Sequence, residues 1–168
     1  YGAHLFLRRR GEGGAPVVLV SHLDTVFPPE EEERNDFRWQ PVPEEGRIYG
    51  PGTVDIKGGT VLIWLMLRAL RELAPQVFEK THWLVAMNAS EEVLSGDFAL
   101  RTIERCEHRA RAVLVFEGGP REGDEWHVVT ARKGRAEYRF VAEGKDAHAG
   151  SAHDKGVNAV IGLCEEAQ

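Results

Sequence analysis

The stretch V-L-V-S-H-L-D-T-V, residues 18–26, opens as an apolar run and ends in His22 and Asp24. A short apolar run of this kind reads as a strand buried on both faces, as in a parallel sheet. Three more stretches carry acids in comparable places. Asp55 lies in G-P-G-T-V-D-I-K-G-G (50–59), Glu91 and Glu92 follow W-L-V-A-M-N-A-S (83–90), and Glu117 follows A-V-L-V-F (112–116). Each set falls where a strand-like run gives way to a loop, the edge at which open α/β sheets bind ligands. One imidazole and several carboxylates converging there make an oxygen-rich site suited to zinc, cobalt or manganese.

Working outward, two strands are expected at the start, Ala3–Arg9 and Val17–Ser21, joined as a hairpin or near-hairpin by the glycine-rich R-G-E-G-G-A-P. From Phe27 to Gly46 the composition turns to Pro, Glu, Asn and Gln, which predicts a solvated loop. Thr60–Leu73 has no Gly or Pro and is rich in Leu, so it reads as a helix buried on most faces, with Trp64 and Met66 in the core. A strand at His82–Met87, a helix near Asp97–Cys106 and a strand at Ala112–Phe116 complete an α/β alternation with a mostly parallel central sheet and flanking helices. After Gly123 the pattern changes: Trp126–Arg132 and Arg135–Ala142 alternate as antiparallel strands with one wet face do. This change of pattern separates an α/β domain over residues 1–132 from the start of an α+β domain over 133–168, ending in a helix from about Val157.

The bulk numbers exclude more than they assign. The 168 residues are 42% hydrophobic and 29% charged, as in an ordinary globular chain. A net charge of -6 with scattered Lys and Arg leaves no basic footprint for nucleic acid. No stretch reaches the roughly 18 apolar residues of a membrane span. Cys106 and Cys164 lack a C-x-x-C pattern and read as small buried apolar residues. Tyr1 is not an initiator Met and the last helix is cut off while amphipathic, so an interior piece of a longer protein is expected. Any leader would lie upstream; a cytoplasmic location is the default expectation.

Each acidic motif has a chemical reading and a plain one. In H-x-D, period-two alternation puts His22 and Asp24 on one face, so that one binds a metal and the other fixes the imidazole by a hydrogen bond; a partly buried, hydrogen-bonded histidine is the plain reading. Asp55 lies among Gly50, Gly52, Gly58 and Gly59, where a carboxylate can bridge two ions; the rivals are a phosphate loop, which lacks its G-K-[ST], and a structural turn. Glu91 and Glu92 are adjacent and point apart, so one can ligate a metal while the other serves as general base, or both can simply favour a helix start. Glu117 fits a ligand or an ordinary strand exit. His148 and His153 sit in a Gly- and Ala-rich loop that leaves an imidazole accessible; His4, His82, His108 and His127 read as structural or surface residues.

In their order along the chain, H-L-D-T-V, Y-G-P-G-T-V-D-I-K-G-G, S-E-E, F-E-G-G and G-K-D-A-H-A-G-S-A-H-D-K-G-V-N-A resemble the aminoacylase and glutamate carboxypeptidase family of dinuclear zinc peptidases, nearest its glutamate carboxypeptidase branch. The resemblance implies that His22 and Glu117 bind one metal, Glu92 the other, and Asp55 both. It implies Glu91 as general base, Asp24 as orienting partner of His22, and His148 of a lid domain reaching the active site of the partner in a homodimer. The implied reaction is hydrolysis of an amide next to a free carboxylate in a small-molecule or peptide substrate. Deacylation or deacetylation of N-acyl amino acids is a close alternative, and an inactive metal-binding or dimerisation module is another. Ala89-Ser90 departs from the Thr-Asp type of pair usual before the two glutamates. The family's last metal ligand, a histidine after the lid, has no counterpart before Gln168, so the isolated chain is expected to be inactive.

Overall fold

The computed structural model describes residues 2–34, 36 and 38–166. Asn35 and Phe37, within the expected loop, and Ala167 and Gln168, at the end of the expected last helix, lie outside the described residues. The chain divides into two compact units, Tyr1–Val128 and Val129–Gln168.

The first unit contains β1 (Leu5–Arg9), β2 (Val17–His22), α1 (Pro29–Arg34), β3 (Gln40–Val42), β4 (Arg47–Tyr49), α2 (Gly58–Leu73), α3 (Pro75–Lys80), β5 (Trp83–Asn88), α4 (Gly96–Arg105), β6 (Ala112–Val115), β7 (Arg121–Glu122) and β8 (Glu125–Trp126). Its main sheet has the order β1-β5-β2-β6. β5, β2 and β6 run parallel, while β1 is antiparallel to β5. All six residues of β5 are buried, as the uninterrupted run W-L-V-A-M-N requires of a strand covered on both faces. On one face Val18, Leu84 and Ala86 pack with Phe98 and Cys106 from the α4 side. On the other, Leu19, Trp83, Val85 and Met87 pack with Ile63 of α2. Helix, sheet and helix thus form three layers, and the parallel strands deliver their carboxyl ends to one edge.

The expected hairpin between the first two strands is not formed. β5 is inserted between β1 and β2, pairing with both. The two outer strands remain antiparallel to each other, so the glycine-rich link is equally consistent with a tight reversal and a step over one strand. Seven extended residues reach about 23 Å, ample for crossing two strand spacings of ~4.8 Å.

Other expectations also need correction. The polar stretch from Phe27 to Gly46 holds helix α1 and, with the following residues, the β3-β4 ribbon rather than loop alone. Helix α2 buries only Gly59 and Ile63, with Met66, Leu67 and Leu70 packed half-buried on the sheet. Trp64 is 56% exposed, beneath the Arg68 guanidinium, and is not in the core. The alternating residues 127–142 form no strand; beyond the short β7-β8 ribbon they are exposed. Alternation states which face of a strand would be wet but supplies no partner, and a two-stranded ribbon alone is marginal. Cys106 is buried as expected, whereas Cys164 is exposed.

The second unit carries a short 3-10 turn over His153–Lys155, an isolated antiparallel bridge between Lys145 and Val157, and α5 (Ala159–Glu166). Among the described residues no helix is long and apolar enough to cross a membrane.

Helix α4 begins with a side-chain cap: the Ser95 hydroxyl accepts the Phe98 N–H at 3.4 Å. Asp97 in its first turn faces His4 at 3.2 Å and accepts from Arg101 and Ser95. These contacts, His4 foremost, hold its carboxyl down at about 2. Because the folded value lies below the ~3.9 of an unfolded aspartate, the stabilisation is full above that pH and is lost as pH falls through the folded value. NMR titration of the Asp97 carboxyl is expected to show a midpoint near 2. The stability difference between the wild type and Asp97→Asn should shrink as the same pH is approached; a midpoint near ~3.9 would contradict the contacts.

Candidate metal centre

His22 is the last residue of β2 and is 3% exposed. Its Nδ1 donates to the Asp24 main-chain carbonyl at 2.9 Å, which fixes the ring and leaves Nε2 facing acids. Asp55 Oδ1 lies 2.8 Å from Nε2, and Glu117 Oε1 3.6 Å from it. A neutral imidazole with Nδ1 protonated would point its Nε2 lone pair at two carboxylates. That arrangement calls for a positive charge, supplied either by protonation or by a cation. Burial pushes the His22 pKa down, but the Asp24 carbonyl, Asp55, and the charges of Glu117 and Glu91 outweigh it and leave it raised.

Asp55 is presented by an irregular wide turn over Thr53–Lys57 leading into α2. Two of the four neighbouring glycines have evident reasons. Gly52 sits at φ +66°, and a Cβ there would come within 2.8 Å of Thr25. A Cβ on Gly59 would lie 2.4 Å from the Phe116 carbonyl, so the start of α2 approaches the exit of β6 only without a side chain. This close packing brings the Asp55 turn towards the strand bearing Glu117. The side chains of Ser21 and Thr60, 2.9 Å apart, tie β2 to the same helix.

Glu91 and Glu92 follow β5 in a turn organised by two side chains. Asn88 Oδ1 accepts the Ser90 N–H at 3.0 Å, and the Asp24 carboxylate accepts the N–H groups of Glu91 and Glu92 at 3.1 and 3.0 Å. Asp24 therefore orients His22 through its carbonyl, its carboxylate being 3.4 Å from Nδ1, and uses that carboxylate chiefly to hold the glutamate pair. His4 Nδ1 accepts the Ala89 N–H at 3.1 Å and steadies the turn from the other side.

Ligand atoms of His22, Asp55 and Glu92 all lie within 4.8 Å of one another. Glu92 Oε1 is buried and, among the described residues, has no hydrogen-bond partner, an orphaned acceptor on one of the three clustered side chains. Burial raises the pKa of Glu92, and so do the charges of Asp55, Glu91 and Asp24, against His22. For Glu117, burial again leads; His22 opposes, while Asp55, Glu91 and Glu92 push the value up. Acids that repel one another, a ring nitrogen aimed among them and an unpartnered buried oxygen fit a bound cation.

The strand ends thus bring together six of the seven residues singled out in the sequence: His22, Asp24, Asp55, Glu91, Glu92 and Glu117. The seventh, His148, belongs to the second unit, where its Nδ1 accepts the Gly150 N–H at 3.1 Å in an exposed loop. The supports from Asn88 and Ser21 were missed, whereas His4, read as structural or surface, serves structurally. Only Asn88 left a signal, an Asx turn readable as N-A-S at a strand end.

The first unit is an α/β domain that gathers a histidine and acids with the spacing of a possible metal-binding group beside the carboxyl ends of its parallel strands. A sequence model of peptidase family M20/M25/M40 matches residues 18–168, and the chain belongs to this family. It is 32% identical over 161 residues to carboxypeptidase G2 of Pseudomonas sp. (strain RS-16), covering 95% of this chain and 36% of that protein. Acetylornithine deacetylase of Pectobacterium carotovorum subsp. carotovorum (strain PC1) is 29% identical over 159 residues, 92% of this chain and 37% of that protein. Succinyl-diaminopimelate desuccinylase of Alkalilimnicola ehrlichii is 27% identical over 148 residues, 86% and 39%. The chain therefore spans between a third and two-fifths of the length of these relatives.

Proposed function

We propose that this chain carries the metal-holding edge of a metal-dependent hydrolase that cleaves an amide bond next to a free carboxylate, of the glutamate carboxypeptidase type. The observation that carries the reading is the meeting of His22, Asp55 and Glu92 around the orphaned Glu92 oxygen. The names of the relatives support it, since a carboxypeptidase, a deacetylase and a desuccinylase each break an amide.

In this reading His22, Asp55 and Glu117 would hold one divalent cation and Asp55 and Glu92 a second, zinc before cobalt or manganese. Such ions supply Lewis acidity toward a carbonyl and toward water. Glu91 is the base: its carboxylate accepts a proton from the attacking water and returns it to the departing nitrogen. Residues 1–132 form the catalytic part, 133–168 begin a lid through which two copies pair, and His148 reaches the site of the partner copy.

Asp24 is a positioning residue. Asp24→Ala in the full-length protein carrying this chain is expected to lower turnover about 10- to 100-fold, as loss of outer supports at metal sites does. Metal titration should show the ion at Glu92 weakened more than the ion at His22, whose ring keeps its main-chain acceptor. Equal weakening of both would contradict this division.

Deacylation of N-acyl amino acids is the second reading, favoured by the deacetylase and desuccinylase relatives. Measuring kcat/KM of the metal-loaded full-length protein on peptides ending in glutamate, N-acylglutamates and N-acetyl amino acids separates the two. Preference for a C-terminal glutamate is expected. Preference for the N-acetyl compounds would select the deacylase, and turnover of none would leave a metal-binding or dimerisation module.

A further inference from the structure

We propose that the opposite edge of the sheet holds a second binding site, for a small, multiply charged oxyanion. A cavity of about 460 Å³ opens there, lined among others by Arg8, Arg10, His82, Arg105, Arg109 and Glu107. Its volume is in the range of small-ligand pockets. Pro16 and Trp83 in its wall mark the amino ends of β2 and β5, whereas His22 and the Glu91-Glu92 turn lie at their carboxyl ends. Strands of six residues put the two sites about 20 Å apart.

The charge of this cavity runs against that of the protein. Four arginines face one glutamate in a chain of net charge -6. Arg34 pairs with Glu31, Arg68 with Glu72, Arg101 with Asp97 and Arg121 with Asp124, whereas Arg47, Arg71, Arg111, Arg132 and Arg139 have no ion-pair partner among the described residues; what sets the cavity apart is that four unmatched arginines line one concavity. Among the described residues Arg8, Arg10, Arg105 and Arg109 have no carboxylate within ion-pair distance. Arg105 is also pre-positioned, its guanidinium 4.0 Å over the Phe6 ring and hydrogen-bonded to the Arg101 carbonyl at 3.2 Å. His82 Nδ1 donates to the Gly14 carbonyl at 3.0 Å, which fixes the ring at the cavity wall.

Guanidinium groups offer paired N–H donors that match phosphate and carboxylate oxygens. Several unmatched guanidiniums in one concavity select an anion with several charges over a single-charge one. A polyphosphate and a polycarboxylate share this chemistry, so both serve as probes.

The test is isothermal titration calorimetry of the full-length protein carrying this chain, stripped of metal, with tripolyphosphate, citrate and acetate at constant ionic strength. Tripolyphosphate or citrate should bind at least tenfold more tightly than acetate, and the tighter of the two identifies the source. The double variant Arg10→Glu/Arg109→Glu changes exposed side chains and should weaken that binding at least tenfold. Arg132→Glu, in the second unit, should leave it unchanged. Amide NMR shifts with the bound probe should fall on residues 14, 15 and 106–109. Absence of binding, equal loss in Arg132→Glu, or shifts confined to the Asp24 and Glu91 region would each overturn the proposal.

Discussion

Glu91→Gln in the full-length protein carrying this chain is expected to lower turnover by about 10²- to 10⁴-fold, the range of a lost general base, while both metals stay bound. The two halves of this expectation have separate structural grounds. The amide at 91 is held by the Asp24 carboxylate whatever the side chain, so the turn and Glu92 keep their places. Gln matches Glu in shape but cannot take a proton from water. Its loss of charge also relieves repulsion on Glu92 and Glu117, both of which Glu91 pushes upward. A lost negative charge also attracts the cations less, so metal affinity should fall modestly, by far less than the rate, because Glu91 is not assigned as a ligand. Unchanged turnover would remove Glu91 from the chemistry, and parallel loss of metal and rate would make it a ligand instead.

Asp55→Ala should have the opposite signature. Asp55 has a carboxylate oxygen 2.8 Å from the His22 nitrogen, lies within 4.8 Å of a Glu92 ligand oxygen, and in this reading is the only group assigned to both ions. Its removal is expected to lower affinity by more than the ~10- to 100-fold typical of outer-shell changes, and activity with it. The fold should survive. The Asp55 side chain is 63% exposed, and substitutions at such positions usually change stability by no more than ~0.5 kcal/mol. Metal content by mass spectrometry, set beside the denaturant midpoint, separates site loss from unfolding. An Asp55→Ala protein that keeps two ions would break the bridging assignment.

Most of what positions this site is legible in the sequence because the central strands are buried on both faces. V-V-L-V, W-L-V-A-M and A-V-L-V are uninterrupted apolar runs, and each is followed within a few residues by an acid or histidine. Burial dictates the run, and the strand end dictates where polar groups can reappear. Pairing is a different matter. Nothing local in Leu5–Arg9 states that β5 rather than β2 is its neighbour, since that choice is made by residues some eighty positions away. Local polarity also misled in both directions: the acidic stretch after Phe27 contains α1, and the alternating stretch after Trp126 contains no strand.

Within the site, side-chain identity was readable and support was not. The H-x-D spacing pointed to an orienting role for Asp24, yet the ring is held by a main-chain carbonyl, a group that every residue carries. The grip of Asp24 on the Glu91-Glu92 turn joins two segments 67 residues apart and leaves no local signature.

Anomalous diffraction at the zinc edge, from crystals of the full-length protein grown with zinc, tests the heart of this reading. Two peaks should flank Asp55, one beside His22 and Glu117 and the other beside Glu92. Peaks absent from both His22 and Glu92, in zinc-replete crystals, would contradict it.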